Sequence, residues 1–278
     1  VTFTPTSQSV TINGADQTAN FTATAQTWNI SGTVTATGSS ATINLTGAST
    51  AATTADASGN FSFTGLANGT YTVTPTKPGV AFTPTSQSVT VNGGDQTANF
   101  TASVLPIMNT GFAAPTANAP VANTGDGNGF ETAPANAYVT DGAVAQDANS
   151  GRNTNTSCTN TGKDRHLFYN YNLNIPTGAL VKGIEVRLDA RVSGGTATKM
   201  CVQLSWNNGA NWTAAQSTSA LTTTTATYTL GGPANTWGRS WALTNFSNAA
   251  FRVRIANVAG STARTFSLDG VAVQVTYQ

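Results

Sequence analysis

Charge is what this chain has least of. Asp, Glu, Lys and Arg make up 8% of its 278 residues, with a formal net charge of +1, where a soluble globular protein carries about 25%. Hydroxyls and amides hold the water instead. Upstream of Arg152 the charged side chains are Asp16, Asp56, Lys77, Asp95, Asp126, Glu131, Asp141 and Asp147. With no Lys/Arg cluster to neutralise phosphates, nucleic acid and anionic lipid surfaces are excluded as partners. No apolar run approaches the ~20 residues of a membrane-spanning helix, so membrane insertion is not expected. Val1 is not an initiator methionine, which fits a secreted chain that has lost its leader, or a fragment.

Catalytic groups are equally scarce. His166 is the single histidine, and no Ser or Cys stands in a nucleophile-elbow or protease context with it. One His and two Cys cannot supply the usual zinc ligand set. A glycosidase needs two facing carboxylates. Glu131 and Glu185 are the only glutamates beside nine aspartates, and Glu185 lies mid-strand among charged neighbours. No phosphate loop occurs. The expectation is a protein that is not an enzyme.

What the sequence does contain, twice, is one stretch. FTPTSQSVTINGADQTANFTAT from Phe3 and FTPTSQSVTVNGGDQTANFTAS from Phe82 lie 79 positions apart and share nineteen of twenty-two residues. A full set of strand-like segments precedes the second copy, whereas only Val1 and Thr2 precede the first. Residues 1–24 are therefore expected to be two closing strands without their module. A strand pair alone buries too little apolar surface to offset its ordering cost. Three fates are open to it: a preceding module, disorder, or addition to a neighbouring copy's sheet. In the last case Phe3, Val10, Ile12 and Phe21 are the assembly residues.

From Trp28 the pattern has a period of two. Ile30, Val34 and Ala36 share a face, as do Ala41, Ile43 and Leu45, then Phe61 and Phe63, then Tyr71, Val73 and Pro75. The alternate positions are mostly Thr, Ser or Asn, which marks sheets with one wet and one buried face. Turn signals at Ser58-Gly59-Asn60, Asn68-Gly69 and Lys77-Pro78-Gly79 space the strands at about ten residues, as in a small sandwich. ISGTVTA followed by DASGNFSFTGLANGTYTVTPTKPG resembles the carboxypeptidase-regulatory-like and Cna-B-like immunoglobulin-type modules, through Asp56, Gly59, Phe61, Leu66, Gly69, Tyr71 and Val73. The resemblance implies a spacer or stalk over residues 25–103. Some relatives carry a Lys–Asn isopeptide bond; here the first strand has no Lys and Lys77 sits in a turn, so no cross-link is expected.

Residues 104–135 are rich in Ala, Pro, Asn and Gly without periodicity and read as a linker. Within it GDGNGFE places Asp126, Asn128 and Glu131 at spacings that suit either a solvated turn or a calcium ion. Strands return over 136–278. Ile184, Val186, Leu188, Ala190 and Val192 alternate with Glu185, Arg187, Asp189 and Arg191, and Phe251, Val253 and Ile255 with Arg252 and Arg254, a pattern suited to cross-strand ion pairs. Met200, Val202, Leu204 and Trp206 point inward, so Cys201 faces out, able to bridge Cys158 in a covering loop in an oxidising compartment. Phe266 and Leu268 occupy even positions but Val271, Val273 and Val275 odd ones, which predicts a bulge at Asp269-Gly270. SWNNGANWT resembles an Asp-box hairpin with Asn207 in the Asp position, a motif that stabilises a turn.

NIPTGALVKGIEVRL and FSLDGVAVQVTY resemble the jelly-roll domains of carbohydrate-binding modules and bacterial surface proteins. That resemblance implies a structural calcium held by Asp269, with Glu131 or Asp126 as partner. It also directs attention to aromatic side chains that could face a sugar; Trp237 and Trp241, in a loop-like stretch, are the glycan candidates, with burial in the core as the alternative. The reading is thus an all-β chain, an immunoglobulin-like β-sandwich followed by a jelly roll. It is expected to be extracellular, on a prokaryotic cell surface, as a structural subunit of a fibre or sheath that polymerises with itself by strand addition. The alternative is a monomeric polysaccharide-binding adhesin arm.

Overall fold

Hydrophobic alternation becomes two separate β-sandwiches in the computed structural model, which describes residues 1–278. The chain divides into two compact units, Val1–Leu105 and Pro106–Gln278.

In the first unit, the opening residues form β1 (Thr2–Thr4) and β2 (Thr22–Thr24). The sandwich follows with β3 (Trp28–Thr33), β4 (Thr42–Gly47), β5 (Ala51–Thr54), β6 (Asn60–Leu66), β7 (Gly69–Thr76), β8 (Val80–Thr83), β9 (Gln87–Val91), β10 (Gln96–Thr97) and β11 (Thr101–Val104). One sheet runs β5-β4-β7-β9, the other β10-β3-β6, and β8 pairs with β11. Ile30, Ile43, Leu45, Phe61, Phe63, Tyr71 and Val73 fill the space between the sheets, as their parity requires. Ala36 departs from that pattern, because the chain leaves β3 for a 3-10 turn at Ala36–Gly38 and exposes it.

Local chemistry explains the family-like residues of this unit. Asp56 Oδ1 accepts from the backbone N–H of Ser58 and of Asn60, both at 2.8 Å, which closes the turn into β6. Gly59 has φ +87°, and a Cβ there would stand 2.5 Å from the Thr35 carbonyl oxygen, so only glycine fits. The buried Tyr71 donates its hydroxyl to the Ala67 carbonyl at 2.9 Å, a tyrosine corner of the immunoglobulin type. Lys77 directs its ammonium to the carbonyls of Thr37 and Ser39, at 3.0 and 2.7 Å.

The second unit contains β12 (Met108–Asn109), β13 (Ala117–Pro120), β14 (Ala145–Asp147), β15 (Arg165–Tyr169), β16 (Val181–Val192), β17 (Lys199–Ser205), β18 (Gln216–Ser217), β19 (Ala226–Gly232), β20 (Arg252–Val258) and β21 (Phe266–Tyr277). Its two sheets are β12-β21-β16-β19, with β14 also paired to β21, and β13-β15-β20-β17-β18, all antiparallel. This is jelly-roll order. The twelve-residue strands β16 and β21 pair along their length, with Ile184, Val186, Leu188, Val271, Val273 and Val275 facing the core. The expected bulge is present: Gly270 opposes Asp189 and Leu268 opposes Ala190, leaving Asp269 without an opposite residue.

Two expectations are corrected here. From Met108 on, residues 104–135 are not a linker: β12 pairs with the end of β21, β13 pairs with β15, and Phe130 is buried. The segment lacks periodicity because its strands are two and four residues long, too short to display one. Nor do the alternating charges form a ladder. Arg187–Asp189, at 3.4 Å, is the one ion pair. The arginines cover aromatic rings instead: Arg252 lies over Tyr169 and Arg254 over Trp212, at 4.5 and 3.9 Å from the centroids.

Candidate functional site

The repeated stretch supplies an internal control, since one sequence is found in two environments. In the second copy Ala81, Phe82 and Thr83 oppose Ser103, Ala102 and Thr101. In the first, Thr2, Phe3 and Thr4 oppose Thr24, Ala23 and Thr22, the same register 79 residues earlier. Between its outer strands the second copy sends β9 along β7, with Val89 opposite Tyr71, and β10 along β3. The corresponding residues of the first copy, Gln8–Ile12 and Gln17–Thr18, belong to no strand.

Burial follows the partners. Phe82, Val89, Val91 and Phe100 are 7%, 6%, 1% and 3% exposed, whereas Phe3, Val10, Ile12 and Phe21 are 53%, 42%, 78% and 47% exposed. Full burial of an aliphatic or aromatic side chain stabilises by about 1.5–3 kcal/mol. Phe3, Val10, Ile12 and Phe21 leave much of that unrealised: all four are exposed within residues 1–24.

The glycan candidates are corrected. Trp237 and Trp241 are both buried, and their indole N–H groups donate to the carbonyls of Ile184 and Thr236, at 2.9 and 2.8 Å. Trp241 packs on Phe246 and Phe251. Trp206 and Trp212 are half-buried, and Arg239 lies 3.6 Å over the Trp206 ring. Parity arguments missed this because both buried tryptophans follow β19 in a segment without strand periodicity.

Cys158 and Cys201 form a disulfide. It ties the loop before β15 to the outward side of β17. In the hairpin after β17, Asn207 Oδ1 accepts from Asn211 N–H, and Asn208 and Gly209 both have positive φ.

The proposed calcium partners do not meet. Asp269 Oδ1 accepts from the backbone N–H of Asp141 and Gly142, at 3.1 and 2.9 Å, and so caps a turn. Asp126 and Glu131 lie elsewhere, near the start of β15. Asp126 donates its backbone N–H to Asp164 Oδ1 at 2.9 Å, and Glu131 Oε1 accepts from Ala148 N–H at 2.6 Å. The GDGNG glycines are needed for close approach. A Cβ on Gly125 would sit 1.7 Å from Asp164 Oδ1, and one on Gly129 2.6 Å from His166 Nδ1.

Beneath that turn lie buried ionisable groups that sequence reasoning passed over: Asp147, Lys163, Asp164 and His166. Desolvation pushes the Asp147 carboxyl up to about 8, against the Asn257 amide, with repulsion from Asp164 and Glu131 adding to the rise. Desolvation also lifts Asp164 to about 7, opposed by the Asp126 N–H and reinforced by the Asp126 charge. Burial lowers His166 to about 4. Its Nδ1 accepts from Phe130 N–H, so Nε2 holds the proton and donates to Asn118 Oδ1 at 2.9 Å. One ring nitrogen thus holds the turn and the other holds β13.

A carboxylate-capped hairpin, a tyrosine corner and seven or more short strands define the first unit as an immunoglobulin-type module, and strand order defines the second as a jelly roll. More particularly, residues 29–103 match the family model of the carboxypeptidase regulatory-like domain. Among curated proteins no match is found. Solved structures that overlap the chain include a DUF3823 family protein from Parabacteroides merdae, at 13% identity, covering 88% of this chain and 96% of that one with a TM-score of 0.24. BcpA, the major pilin subunit of Bacillus cereus, overlaps at 10% identity, covering 91% of this chain and 59% of that one with a TM-score of 0.25. Overlaps this loose say nothing about what the chain does.

Proposed function

We propose that this chain is a structural building block of an extracellular fibre or sheath, and that the ribbon at residues 1–24 joins it to a neighbouring copy by strand addition. The carrying observation is the contrast between the two copies of the repeat: the register is common to both, but only one has its apolar residues covered. The contact is heterologous, head of one copy to body of the next, and such contacts propagate into open filaments unless they close a ring. Residues 82–103 already occupy the matching place in the chain's own module, so the ribbon is received along a free sheet edge. The edge strand β5 offers one. Its sequence, AATT, has neither the charge nor the proline that blunts edges against pairing, and its Ala51, Ala52 and Thr54 are exposed. The Cys158–Cys201 disulfide fits an oxidising, extracellular compartment. Deleting residues 1–24 is expected to abolish polymers seen by negative-stain microscopy while both units stay folded. Polymers of unchanged length would overturn the reading.

One feature favours a second reading, a polysaccharide-binding arm. Half-buried Tyr169 and Trp212 lie with Arg252, Arg254 and Gln203 on the outer side of the β15-β20-β17 sheet. Binding to an acidic polysaccharide that is lost in Trp212→Ala, from a protein that forms no filaments, would favour this reading.

A further inference from the structure

Three buried side-chain oxygens near the start of β15 accept no hydrogen bond: Asn128 Oδ1, Asp164 Oδ2 and Asn257 Oδ1. Asp164 and Asn257 are almost completely buried, so water does not solvate them. A buried acceptor without a donor is costly, and such a group in a native fold calls for a missing partner.

The three belong to one place. Asn257 donates its backbone N–H to the Asp164 carbonyl at 3.2 Å, and its side-chain Nδ2 to Asp147 Oδ2 at 2.7 Å. Its amide therefore points at the Asp147 carboxylate with Oδ1 left over. The turn that carries Asn128 is fixed to Asp164 through Asp126 N–H and to His166 through Phe130 N–H. Asp164 is close enough to be repelled by Asp126, Glu131 and Asp147, and Asp147 by Glu131. The one cation among them, Lys163, feels the charge of Asp164 and Asp147 but does not pair with either. Its ammonium donates to the carbonyls of Asn153 and Ala259, at 2.5 and 2.8 Å, and forms no ion pair.

A proton would satisfy one of these oxygens. A hard cation bound among them would satisfy more than one, and would offset the charge as well. Calcium takes six to eight oxygens from carboxylates, amides, carbonyls and water in flexible geometry. No three His, Cys, Asp or Glu side chains converge on one metal position, so a site here draws on amide oxygens beside its two buried carboxylates. Two buried carboxylates with amide oxygens suit calcium and do not suit zinc. We propose that Asp147, Asp164, Asn257 and Asn128 of the Asp126–Glu131 turn form a calcium site at this end of the jelly roll, separate from Asp269. The site is independent of the assembly proposed above.

The test uses the full chain, stripped with EGTA and titrated with calcium chloride by isothermal calorimetry and by thermal melting, with magnesium as the comparison. One calcium per chain is expected, with an affinity in the range of extracellular modules, about 10⁻⁴–10⁻³ M, and a melting temperature of the second unit that rises with calcium concentration. Asp164→Asn should weaken binding at least tenfold, and Asn128→Ala, on the turn, should weaken it without unfolding the core. Asp269→Asn should bind as the unaltered chain does. The proposal is overturned by a folded chain that gives neither heat nor a melting shift at ~10 mM calcium, by Asn128→Ala and Asp164→Asn variants that bind normally, or by loss of binding in Asp269→Asn alone.

Discussion

Phe21 and Phe100 are the same residue of the same repeat, so mutating each to alanine isolates the effect of environment from that of sequence. Phe100 is 3% exposed and its ring centroid lies 6.4 Å from that of Phe61, while Phe21 is 47% exposed. Truncating a buried phenylalanine costs about 3–5 kcal/mol, because the transfer energy is lost and a cavity is left. For a domain of 60–100 residues each kcal/mol shifts the melting temperature by roughly 4–8 °C. Phe100→Ala should therefore lower the melting of the first unit by about 12 °C or more. Phe21→Ala should leave the same transition of the monomer within about 0.5 kcal/mol, as surface substitutions do, and should reduce polymer yield. Differential scanning calorimetry of monomeric protein, paired with sedimentation of assembled material, reads both effects. If Phe21→Ala destabilises the monomer as Phe100→Ala does, the ribbon is already packed within its own chain and the reasoning about assembly fails.

The cation-free second unit should be less stable at pH 8.5 than at pH 6.5. Asp147 and Asp164 have folded pKa values raised to about 8 and 7, so the stability they contribute is full below about 3.8 and is lost as pH rises through those values. His166 acts in the opposite sense. Its pKa is lowered to about 4, so stability falls as pH drops from about 6.5 toward 4, which offsets about half of what the two carboxylates gain over that range and flattens the rise of the melting temperature below pH 6.5. A melting temperature that rises steadily from pH 6.5 to 8.5 without calcium would contradict the burial of the two carboxylates. The disulfide closes a span of 43 residues, for which chain entropy gives about 4 kcal/mol. Replacing both cysteines by serine should thus lower the melting of the second unit by roughly 8–16 °C at about 2–4 °C per kcal/mol, with the first transition unmoved.

Regular strands were legible because burial on one face imposes a period of two, and Ile184 to Val192 or Phe251 to Ile255 show it without interruption. The bulge at Asp269 could be read from a change of parity, and the bridge from the outward face of Cys201. Where periodicity fails, so did the reading. Strands of two to four residues at Met108 and Ala117 carry no pattern, and Trp237, with φ +55°, reaches the core from an irregular turn. Asp147 and Asp164 sit at strand ends, where a carboxylate ordinarily meets water. Only the tertiary placement of Asn257 and the Gly125 turn reveals that they do not. The glycines of GDGNG were the available signal, since close backbone approach, and not flexibility, is what they permit.

The single ion pair between Arg187 and Asp189 has a consequence for the setting in which such a protein works. Dissolved salt weakens a fold by screening attractions between exposed charges beyond about 10 Å at 0.1 M, and here there is almost nothing to screen. Threonine hydroxyls, asparagine amides and arginines lying on rings are indifferent to the Debye length. The melting point of the first unit should hardly change as sodium chloride is raised from about 0.01 to 0.15 M, because its stability is carried by contacts that such screening does not reach.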